Sequence, residues 1–262
     1  MKPFFSIILP TYNQANLLRK CLKSILSQSY KNWELLIIDN NSKDNTRAVI
    51  NDLSDKRFKT YKINNKSILA KSRNFGINKA NSEWICFIDS DDIWYSNKLE
   101  VIKKYIDKNK NVDLFHHDLV FTNKFFFFKR RKITDKSQTI TKPTFKYFAK
   151  NGNGIGQSSV VVKKEILQKI GKISINKEKY SWEDFDTWLK LSKNNKIFKR
   201  IPFVLGSIWV GPENISNLDK QVENSKNIKK YYGNDFKRIL NINNNKKLWW
   251  LEYPMILKDF KD

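Results

Sequence analysis

The 262-residue chain carries 50 Lys and Arg against 26 Asp and Glu, which gives a formal net charge of +24. Hydrophobic residues make up 40% and aromatic residues 14%, enough for a folded core, and this excludes a globally disordered protein. The basic excess predicts attraction to polyanions, whether nucleic acid, an anionic membrane face or phosphorylated small molecules. Two cysteines, Cys21 and Cys86, are too few for a disulfide framework or a cysteine-rich zinc site, and we expect both to be buried thiols.

No apolar stretch approaches the roughly 18 residues that a membrane-spanning helix needs. The apolar run at residues 4–9 is short, and it continues into Pro10-Thr11-Tyr12-Asn13 instead of a small-residue cleavage site. It is therefore interpreted as a first strand and not as a signal peptide. We expect a cytoplasmic protein.

The first half of the chain alternates apolar runs with stretches in which apolar residues recur at helical spacing. The runs at residues 4–9, 35–38, 58–63, 84–88 and 112–115 predict strands, and the stretches between them predict helices. Such alternation is typical of an α/β fold with a mostly parallel central sheet flanked by helices. The second half is less regular, and we expect one domain followed by a C-terminal extension.

Polar residues follow three of the predicted strands. In an open parallel sheet, ligands bind beyond the carboxyl ends of the strands, so these residues mark a candidate site. The three clusters are Pro10-Thr11-Tyr12-Asn13, Asp39-Asn40-Asn41-Ser42 and Asp89-Ser90-Asp91-Asp92. No Gly-x-Gly-x-x-Gly or P-loop element follows the first strand, which argues against dinucleotide oxidoreductases and P-loop enzymes.

The acidic clusters each allow two interpretations. Carboxylates as close as Asp89, Asp91 and Asp92 repel one another, and a Mg²⁺ or Mn²⁺ ion completed by substrate phosphates relieves that cost. Alternatively, they form an acidic turn that caps the next helix. Asp39 is either an Asx-turn residue or an acceptor of hydrogen bonds from a bound base or ribose.

Further along the chain, three charged residues are candidates for the same site. Arg73 is either a solvated cation or a residue that orients an acidic side chain or a phosphate. The sequence at residues 181–184 fits a capping box, in which Asp184 holds a helix start. Alternatively, Glu183 or Asp184 is a general base that faces a substrate hydroxyl. These interpretations are compatible, because one of two adjacent residues can cap while the other faces substrate.

Five motifs, in this order and spacing, resemble family 2 glycosyltransferases, which use nucleotide sugars and have a single α/β domain of the GT-A type. The resemblance extends over about residues 4–210. The motifs are Ser6-Ile7-Ile8-Leu9-Pro10-Thr11-Tyr12-Asn13, Ile38-Asp39-Asn40-Asn41-Ser42-Lys43-Asp44-Asn45-Thr46, Ala70-Lys71-Ser72-Arg73-Asn74-Phe75-Gly76, Phe87-Ile88-Asp89-Ser90-Asp91-Asp92 and Trp182-Glu183-Asp184-Phe185-Asp186.

The resemblance implies a role for each matching residue. Thr11 and Asp39 are expected to hold the nucleotide base, usually uracil. Asp89 and Asp91 are expected to grip the ribose and, through Mn²⁺ or Mg²⁺, the diphosphate. The full expected donor-binding set is Pro10, Thr11, Tyr12, Asn13, Asp39, Arg73, Asp89, Ser90 and Asp91. Asp184 is the expected catalytic base, with Glu183 as the fallback, in a displacement that inverts the anomeric centre.

The resemblance also implies a division of the chain. A Rossmann-like half at residues 1–119 would bind the nucleotide sugar and an acceptor half at residues 120–215 would complete the domain, with a helical extension at residues 216–262. The sequence departs from the family at two places. Many relatives have Tyr-Arg-x-His where this chain has Ile208-Trp209-Val210-Gly211, and often a second Asp where it has Asn40.

Several features of the second half concern the acceptor. The Gly-rich segment at residues 152–156 is either a flexible acceptor loop or a plain turn. His116-His117-Asp118 is either a metal site or a solvated strand end. Four phenylalanines at residues 125–128 beside a basic run at 129–132 form either a membrane anchor or an edge strand with solvated charges, and Trp249-Trp250 after Lys246-Lys247 repeats this ambiguity.

The expected function is sugar transfer from a nucleotide sugar, a UDP-hexose, to a hydroxyl of a glycan acceptor in bacterial surface glycan or lipid-linked oligosaccharide assembly. If the aromatic and basic residues at 125–132 and at 246–250 lie on the same face, the protein would dock on an anionic membrane and use a polyprenyl-diphosphate-linked acceptor. Two other classes of protein are alternatives, a basic nucleic-acid-binding protein and a sugar nucleotidyltransferase-like enzyme. Acidic strand ends would repel nucleic acid, and a sugar nucleotidyltransferase typically needs a Gly-rich loop with Arg and Lys after the first strand.

Overall fold

The computed structural model describes residues 2–122, 131–132, 144–211 and 218–242. In this part of the chain, short 3₁₀ turns at Gln157–Ser159 and Lys177–Lys179 interrupt the helices and strands. The order of elements is β1 (Phe5–Thr11), α1 (Ala15–Leu26), β2 (Trp33–Asp39), α2 (Thr46–Asp52), β3 (Phe58–Lys62), α3 (Leu69–Lys79), β4 (Trp84–Phe87), β5 (Ile93–Trp94), α4 (Lys98–Lys108), β6 (Leu114–Thr122), β7 (Arg131–Lys132), α5 (Phe145–Asn151), β8 (Val161–Lys163), α6 (Lys164–Lys169), α7 (Glu183–Lys193), β9 (Phe198–Trp209) and α8 (Leu218–Leu240).

The strands form a single sheet with the order β3-β2-β1-β4-β8-β6-β9-β5, and β7 pairs with β6. Strands β1 to β4 are parallel to one another. Strand β8 runs antiparallel between β4 and β6, while β9 is parallel to β6. The predicted α/β class is confirmed, and its parallel part is the half in which apolar runs alternate with helical periodicity.

Helices cover both faces of the sheet. Alternate strand residues point to opposite faces, so Ile8 and Leu36 belong to one core cluster and Ile7 and Leu35 to the other. The first cluster includes residues of α3, α5, α6, α7 and α8, and the second includes residues of α1, α2 and α4. The molecule is therefore a three-layer sandwich, which explains why its parallel strands are apolar on both faces.

Helix α3 approaches strand β1 closely at Gly76. A Cβ atom at this position would lie 2.6 Å from Cγ2 of Ile8, a distance that real Cβ atoms do not adopt. Glycine thus permits the helix to pack directly on the strand. Because Arg73 lies one turn earlier on the same helix, this contact sets how far its side chain reaches along the sheet.

Strand β6 is longer than predicted, and this changes the account of His116, His117 and Asp118. All three lie inside the strand and are buried, so the interpretation as a solvated strand end is wrong. Asp118 accepts hydrogen bonds from Arg200, which compensates its charge. Burial and the nearby Arg200 charge lower the pKa of His116 to about 3. Within the described ranges, no three His, Cys, Asp or Glu side chains come together as a metal site.

The C-terminal helix α8 packs onto the domain through Ile228, Tyr232 and Phe236, which belong to the first core cluster. The boundary expected after residue 215 lies outside the described residues, and so do the phenylalanines at 125–128 and Trp249-Trp250.

As predicted, both cysteines are buried thiols. Among the helices of the described ranges, none combines the length and the apolar character that crossing a bilayer requires.

Candidate active site

The loops after β1 and β2 lie side by side because these strands pair in parallel, with Thr11 opposite Asp39. The backbone N–H of Asn40 donates to the carbonyl of Thr11 at 2.9 Å. The N–H of Asn13 donates to Oγ of Ser42 at 3.0 Å. Two of the three predicted polar clusters are thus joined by direct hydrogen bonds.

Asp39 and Thr11 each keep one polar atom without a hydrogen bond from the described residues. Oδ1 of Asp39 accepts from both the N–H and the hydroxyl of Ser42, which forms an Asx turn, and its Oδ2 accepts no hydrogen bond from the described ranges. Oγ1 of Thr11 is buried and has no partner in the described part of the chain. The Asx turn is therefore compatible with a ligand on the second oxygen of Asp39.

The neighbouring residues of the first cluster differ in exposure. Pro10 is buried within β1, whereas Tyr12, directly after this strand, is 54% exposed. Asn13 has a left-handed backbone, with φ of 49°, and its Oδ1 accepts a hydrogen bond from the N–H of Lys43 at 2.7 Å. Asn13 thus holds the two loops together.

The turn at residues 89–92, called here the carboxylate turn, follows β4 at the same edge of the sheet. Ser90 is buried, and its hydroxyl donates to Oε1 of Gln14. Asp92 is also buried, and burial, followed by the charges of Asp91 and Asp89, raises the pKa of its carboxyl well above the ordinary value. By contrast, Asp89 and Asp91 are partly exposed.

Arg73 connects the carboxylate turn with helix α7. Its Nη2 lies 2.7 Å from Oδ1 of Asp89, and its Nη1 lies 2.8 Å from Oε1 of Glu183. Burial alone would lower the pKa of Arg73, but the charges of Asp89 and Glu183 raise it above the ordinary value, so the guanidinium stays charged. Of the two interpretations of Arg73, the structure corresponds to the one in which it orients acidic side chains.

The start of α7 differs from the predicted capping box. Ser181 has a left-handed backbone, with φ of 71°, and its Oγ accepts a hydrogen bond from Asn224 of α8 at 2.8 Å. The helix begins at Glu183 without a side-chain cap, so the capping box is wrong. The serine hydroxyl is engaged by a distant helix and is not directed at the end of α7.

Asp184 stands beside the buried ion pair and has a different environment from Glu183. Burial and the neighbouring Glu183 charge raise its pKa to about 7. Its Oδ1 accepts from the N–H of Phe185 at 2.6 Å, and its Oδ2 accepts from Nδ2 of Asn153 at 3.3 Å. A carboxylate with a pKa near the ambient pH suits proton transfer. Asn153 was not singled out by the sequence, although the Gly-rich segment that contains it was.

Helix α8 also contacts the N-terminal end of α7, through Asp186. Asp186 is fully buried and accepts hydrogen bonds from Nζ of Lys179 and from the hydroxyl of Tyr232, both at 2.6 Å. Lys190 completes the ion cluster, with its Nζ 2.8 Å from Oδ2 of Asp186. Because Asp186 is two residues from Asp184, α8 restrains the helix end that carries the acidic pair.

The carboxylate turn offers the kind of oxygen ligand that Mg²⁺ and Mn²⁺ prefer. Arg73 donates to Oδ1 of Asp89, and Oδ2 of the same carboxylate accepts no hydrogen bond from the described residues. Since no three ligating side chains converge in the described ranges, a cation here would need oxygens from a bound substrate. The residues present fit a metal ion that is bound together with a diphosphate.

A mostly parallel sheet flanked by helices on both faces is a fold of the GT-A type. The sequence model described as "Glycosyl transferase family 2" matches residues 6–171. The chain therefore belongs to glycosyl transferase family 2.

Two relatives illustrate the similarity in sequence. The UDP-Glc:alpha-D-GlcNAc-diphosphoundecaprenol beta-1,3-glucosyltransferase WfgD of Escherichia coli is 34% identical over 192 residues, which are 73% of this chain and 71% of that protein. An uncharacterized glycosyltransferase of Rickettsia felis is 28% identical over 73% of this chain, but the match spans only 31% of its own length.

Solved structures share the fold at lower identity. TarS 1–349 of S. aureus in complex with UDP superposes with a TM-score of 0.65 and 20% identity, over 95% of this chain and 77% of that one. The mannosyltransferase PcManGT from Pyrobaculum calidifontis, in complex with GDP-Man and Mn²⁺, gives a TM-score of 0.67 and 17% identity, over 90% and 65% of the two chains.

Proposed function

We propose that this glycosyltransferase moves a sugar from a UDP-hexose donor to a hydroxyl of a glycan acceptor, with inversion at the anomeric carbon. One observation carries the proposal. Arg73 joins Asp89 of the carboxylate turn to Glu183, the neighbour of Asp184. The expected donor-binding edge and a carboxylate with a pKa near 7 therefore belong to one site.

In the proposed reaction, Asp184 accepts the proton of the acceptor hydroxyl. The acceptor oxygen forms a bond to the anomeric carbon while the bond from that carbon to the diphosphate oxygen breaks. The electron pair of the broken bond leaves with the nucleoside diphosphate. Attack from the side opposite to the leaving group inverts the anomeric configuration. Glu183 is less suited to the role of base, because one of its oxygens is taken by Arg73.

Asp91 and Asp89 would hold Mn²⁺ or Mg²⁺ together with the diphosphate. When bound, the cation supplies positive charge next to the departing nucleoside diphosphate. Arg73 keeps the carboxylate of Asp89 in place through Oδ1 and leaves Oδ2 for the ligand. A solved structural neighbour, PcManGT, contains Mn²⁺ with GDP-Man, which supports this assignment.

The nucleotide base would lie against Thr11 and Asp39. The support is that Oγ1 of Thr11 is buried without a partner in the described ranges, and Oδ2 of Asp39 is likewise left without a hydrogen bond there. Tyr12 is exposed next to both residues, where its ring can cover a bound base. Pro10, Asn13 and Ser90 would act by holding the loops of this subsite.

The acceptor would approach Asp184 beside the Gly-rich segment at residues 152–156, because Asn153 of this segment contacts Asp184. The name of WfgD states a GlcNAc-diphosphoundecaprenol acceptor. We extend this to a polyprenyl-diphosphate-linked acceptor for the present chain, in bacterial surface glycan assembly. The charge of +24 supports peripheral contact with the anionic inner face of the membrane. Co-sedimentation with anionic liposomes at moderate salt tests this contact, and no binding would contradict it.

A thermal-shift panel tests the proposed donor. Nucleoside diphosphates and sugar nucleotides are each measured with Mn²⁺, with Mg²⁺ and with a chelator. A ligand at about 100 times its Kd stabilises the folded protein by about 2.7 kcal/mol, so UDP compounds with Mn²⁺ should raise the melting temperature clearly. If polynucleotides stabilise the chain and nucleotides do not, the donor proposal is wrong. Turnover of a sugar 1-phosphate with a nucleoside triphosphate would instead favour a nucleotidyltransferase.

A further inference from the structure

The side-chain hydroxyl of Ser158 makes hydrogen bonds to two residues of the carboxylate turn, Asp89 and Asp92. It lies in the 3₁₀ turn Gln157–Ser159, just before β8, and is 2% exposed. Because β8 runs antiparallel to β4, the turn that precedes β8 meets the loop that follows β4. The position of Ser158 beside Asp89 is thus a consequence of the sheet topology.

The hydroxyl of Ser158 makes two hydrogen bonds of opposite direction. Its oxygen accepts from the backbone N–H of Asp89 at 3.1 Å, and its proton is donated to Oδ2 of Asp92. These are the first and last residues of the carboxylate turn. One hydroxyl group therefore fixes both ends of the segment that contains Asp91.

The backbone of Ser158 is itself held from the other side. Its carbonyl accepts hydrogen bonds from Nζ of Lys98 at 2.7 Å and from Nε1 of Trp94 at 2.9 Å. Lys98 is fully buried, with its Nζ 3.5 Å from the centre of the Trp94 ring system. Because the Lys98 side chain is buried and donates to this carbonyl, it restricts the position of Ser158.

Asp92 is occupied on both carboxylate oxygens. Oδ2 accepts from Ser158, and Oδ1 accepts from the N–H of Trp209 at 3.0 Å. Trp209 is the last residue of β9. Asp92 therefore links the turn to two neighbouring segments and is buried, whereas Asp89 and Asp91 are partly exposed.

We propose that Ser158 is a positioning residue for the donor site, and that its hydroxyl, acting with Asp92, holds the carboxylate turn in the conformation that presents Asp89 and Asp91 to a metal-bound diphosphate. This inference rests on the proposed function. Ser158 itself does not touch the substrate in this account. It acts through the backbone of the carboxylate turn, which sets the positions of the carboxylate oxygens of Asp89 and Asp91.

The adjacent Ser159 provides a matched control. It is equally buried, and its hydroxyl donates to the carbonyl of Gly156 at 2.7 Å, with no hydrogen bond to the carboxylate turn among the described residues. The Kd of UDP is measured by calorimetry with Mn²⁺ and with EDTA for wild type, Ser158→Ala and Ser159→Ala. We expect Ser158→Ala to reduce the gain in UDP affinity that Mn²⁺ provides by about tenfold or more, with little change in EDTA. Ser159→Ala should keep the full gain.

If Mn²⁺ increases the affinity for UDP equally in wild type and in Ser158→Ala, the inference is overturned and the proposed function stays intact. If wild type itself gains no affinity from Mn²⁺, the proposed metal-dependent function fails, and the inference fails with it. Should Ser158→Ala not fold, Asp92→Asn is measured in its place, because it removes one of the two acceptors that tie the turn. A reduced gain for Asp92→Asn supports the inference, and an unchanged gain overturns it.

Discussion

Arg73 and Glu183 form a buried ion pair across 110 positions of sequence, with Nη1 2.8 Å from Oε1 and side-chain exposures of only 5% and 6%. The same guanidinium binds Asp89. One cation on α3 therefore neutralises two carboxylates that belong to different halves of the site. This relationship connects the expected donor-binding turn with the helix end that carries Asp184.

Replacing Arg73 by methionine should destabilise the fold strongly. The change leaves the buried carboxylate of Glu183 without its partner, and breaking a buried pair costs about 3–5 kcal/mol. Urea denaturation measures the loss. Arg19→Met is the control, because Arg19 pairs with Asp52 at an exposed position, where such a pair contributes about 0–1 kcal/mol. Equal effects of the two substitutions would contradict the account.

Asp184→Asn should lower kcat by about 10²–10⁴-fold, because the amide cannot accept the acceptor proton. The Kd of UDP should stay close to the wild-type value, since Asp184 is assigned no contact with the donor. Steady-state kinetics and calorimetry on the same preparation separate the two effects. Glu183→Gln is measured in parallel. If Asp184→Asn retains activity and Glu183→Gln loses it, Glu183 is the base.

The pKa of about 7 for Asp184 predicts two pH dependences of opposite sign. Since the base must be ionised, kcat/KM should rise with pH and level off above about 7. Because burial raises this pKa in the folded state, the folded protein holds the proton more tightly than the unfolded chain. The free energy of unfolding therefore decreases as the pH rises towards 7 and Asp184 loses its proton. The melting temperature of Asp184→Asn should exceed that of wild type by more at about pH 8 than at about pH 5. A constant difference would contradict the raised pKa.

Helix α8 should affect turnover through Asp186. Tyr232→Phe removes the hydroxyl that donates to this buried carboxylate, so the end of α7 is held less firmly and kcat should fall several-fold with an unchanged Kd for UDP. Tyr231→Phe is the matched control, because the Tyr231 hydroxyl binds Glu178 at an exposed position. Identical kinetics for the two variants would show that α8 does not position the site.

The parallel half of the sheet could be predicted because strands buried on both faces leave continuous apolar runs in the sequence. The length of β6 could not be predicted from the sequence. His116, His117 and Asp118 interrupt the apolar run, and the compensating residue, Arg200, lies 82 positions from Asp118. A prediction from residues that are adjacent in sequence cannot identify such a distant partner.

The candidate site shows the same limit. The polar clusters at the strand ends were predictable, because their position follows from strand order alone. The capping box at residues 181–184 was not reliable, since Asn224 engages Ser181 from 43 positions away. The residue pattern alone allowed either Glu183 or Asp184 as the base, and the preference for Asp184 came from the family resemblance. In the structure, Glu183 is paired with Arg73, whereas Asp184 has a raised pKa and a hydrogen bond from Asn153, so the two environments differ.

Sugar transfer itself is the most direct test of the metal-dependent inverting mechanism. The sugar nucleotide selected by the thermal-shift panel is incubated with a lipid-diphosphate-linked acceptor, and the new glycosidic bond is assigned by NMR. The account predicts a product of inverted anomeric configuration that forms with Mn²⁺ and is absent with EDTA or with Asp91→Asn. A product with the donor's own configuration, or an undiminished rate after chelation, would contradict it.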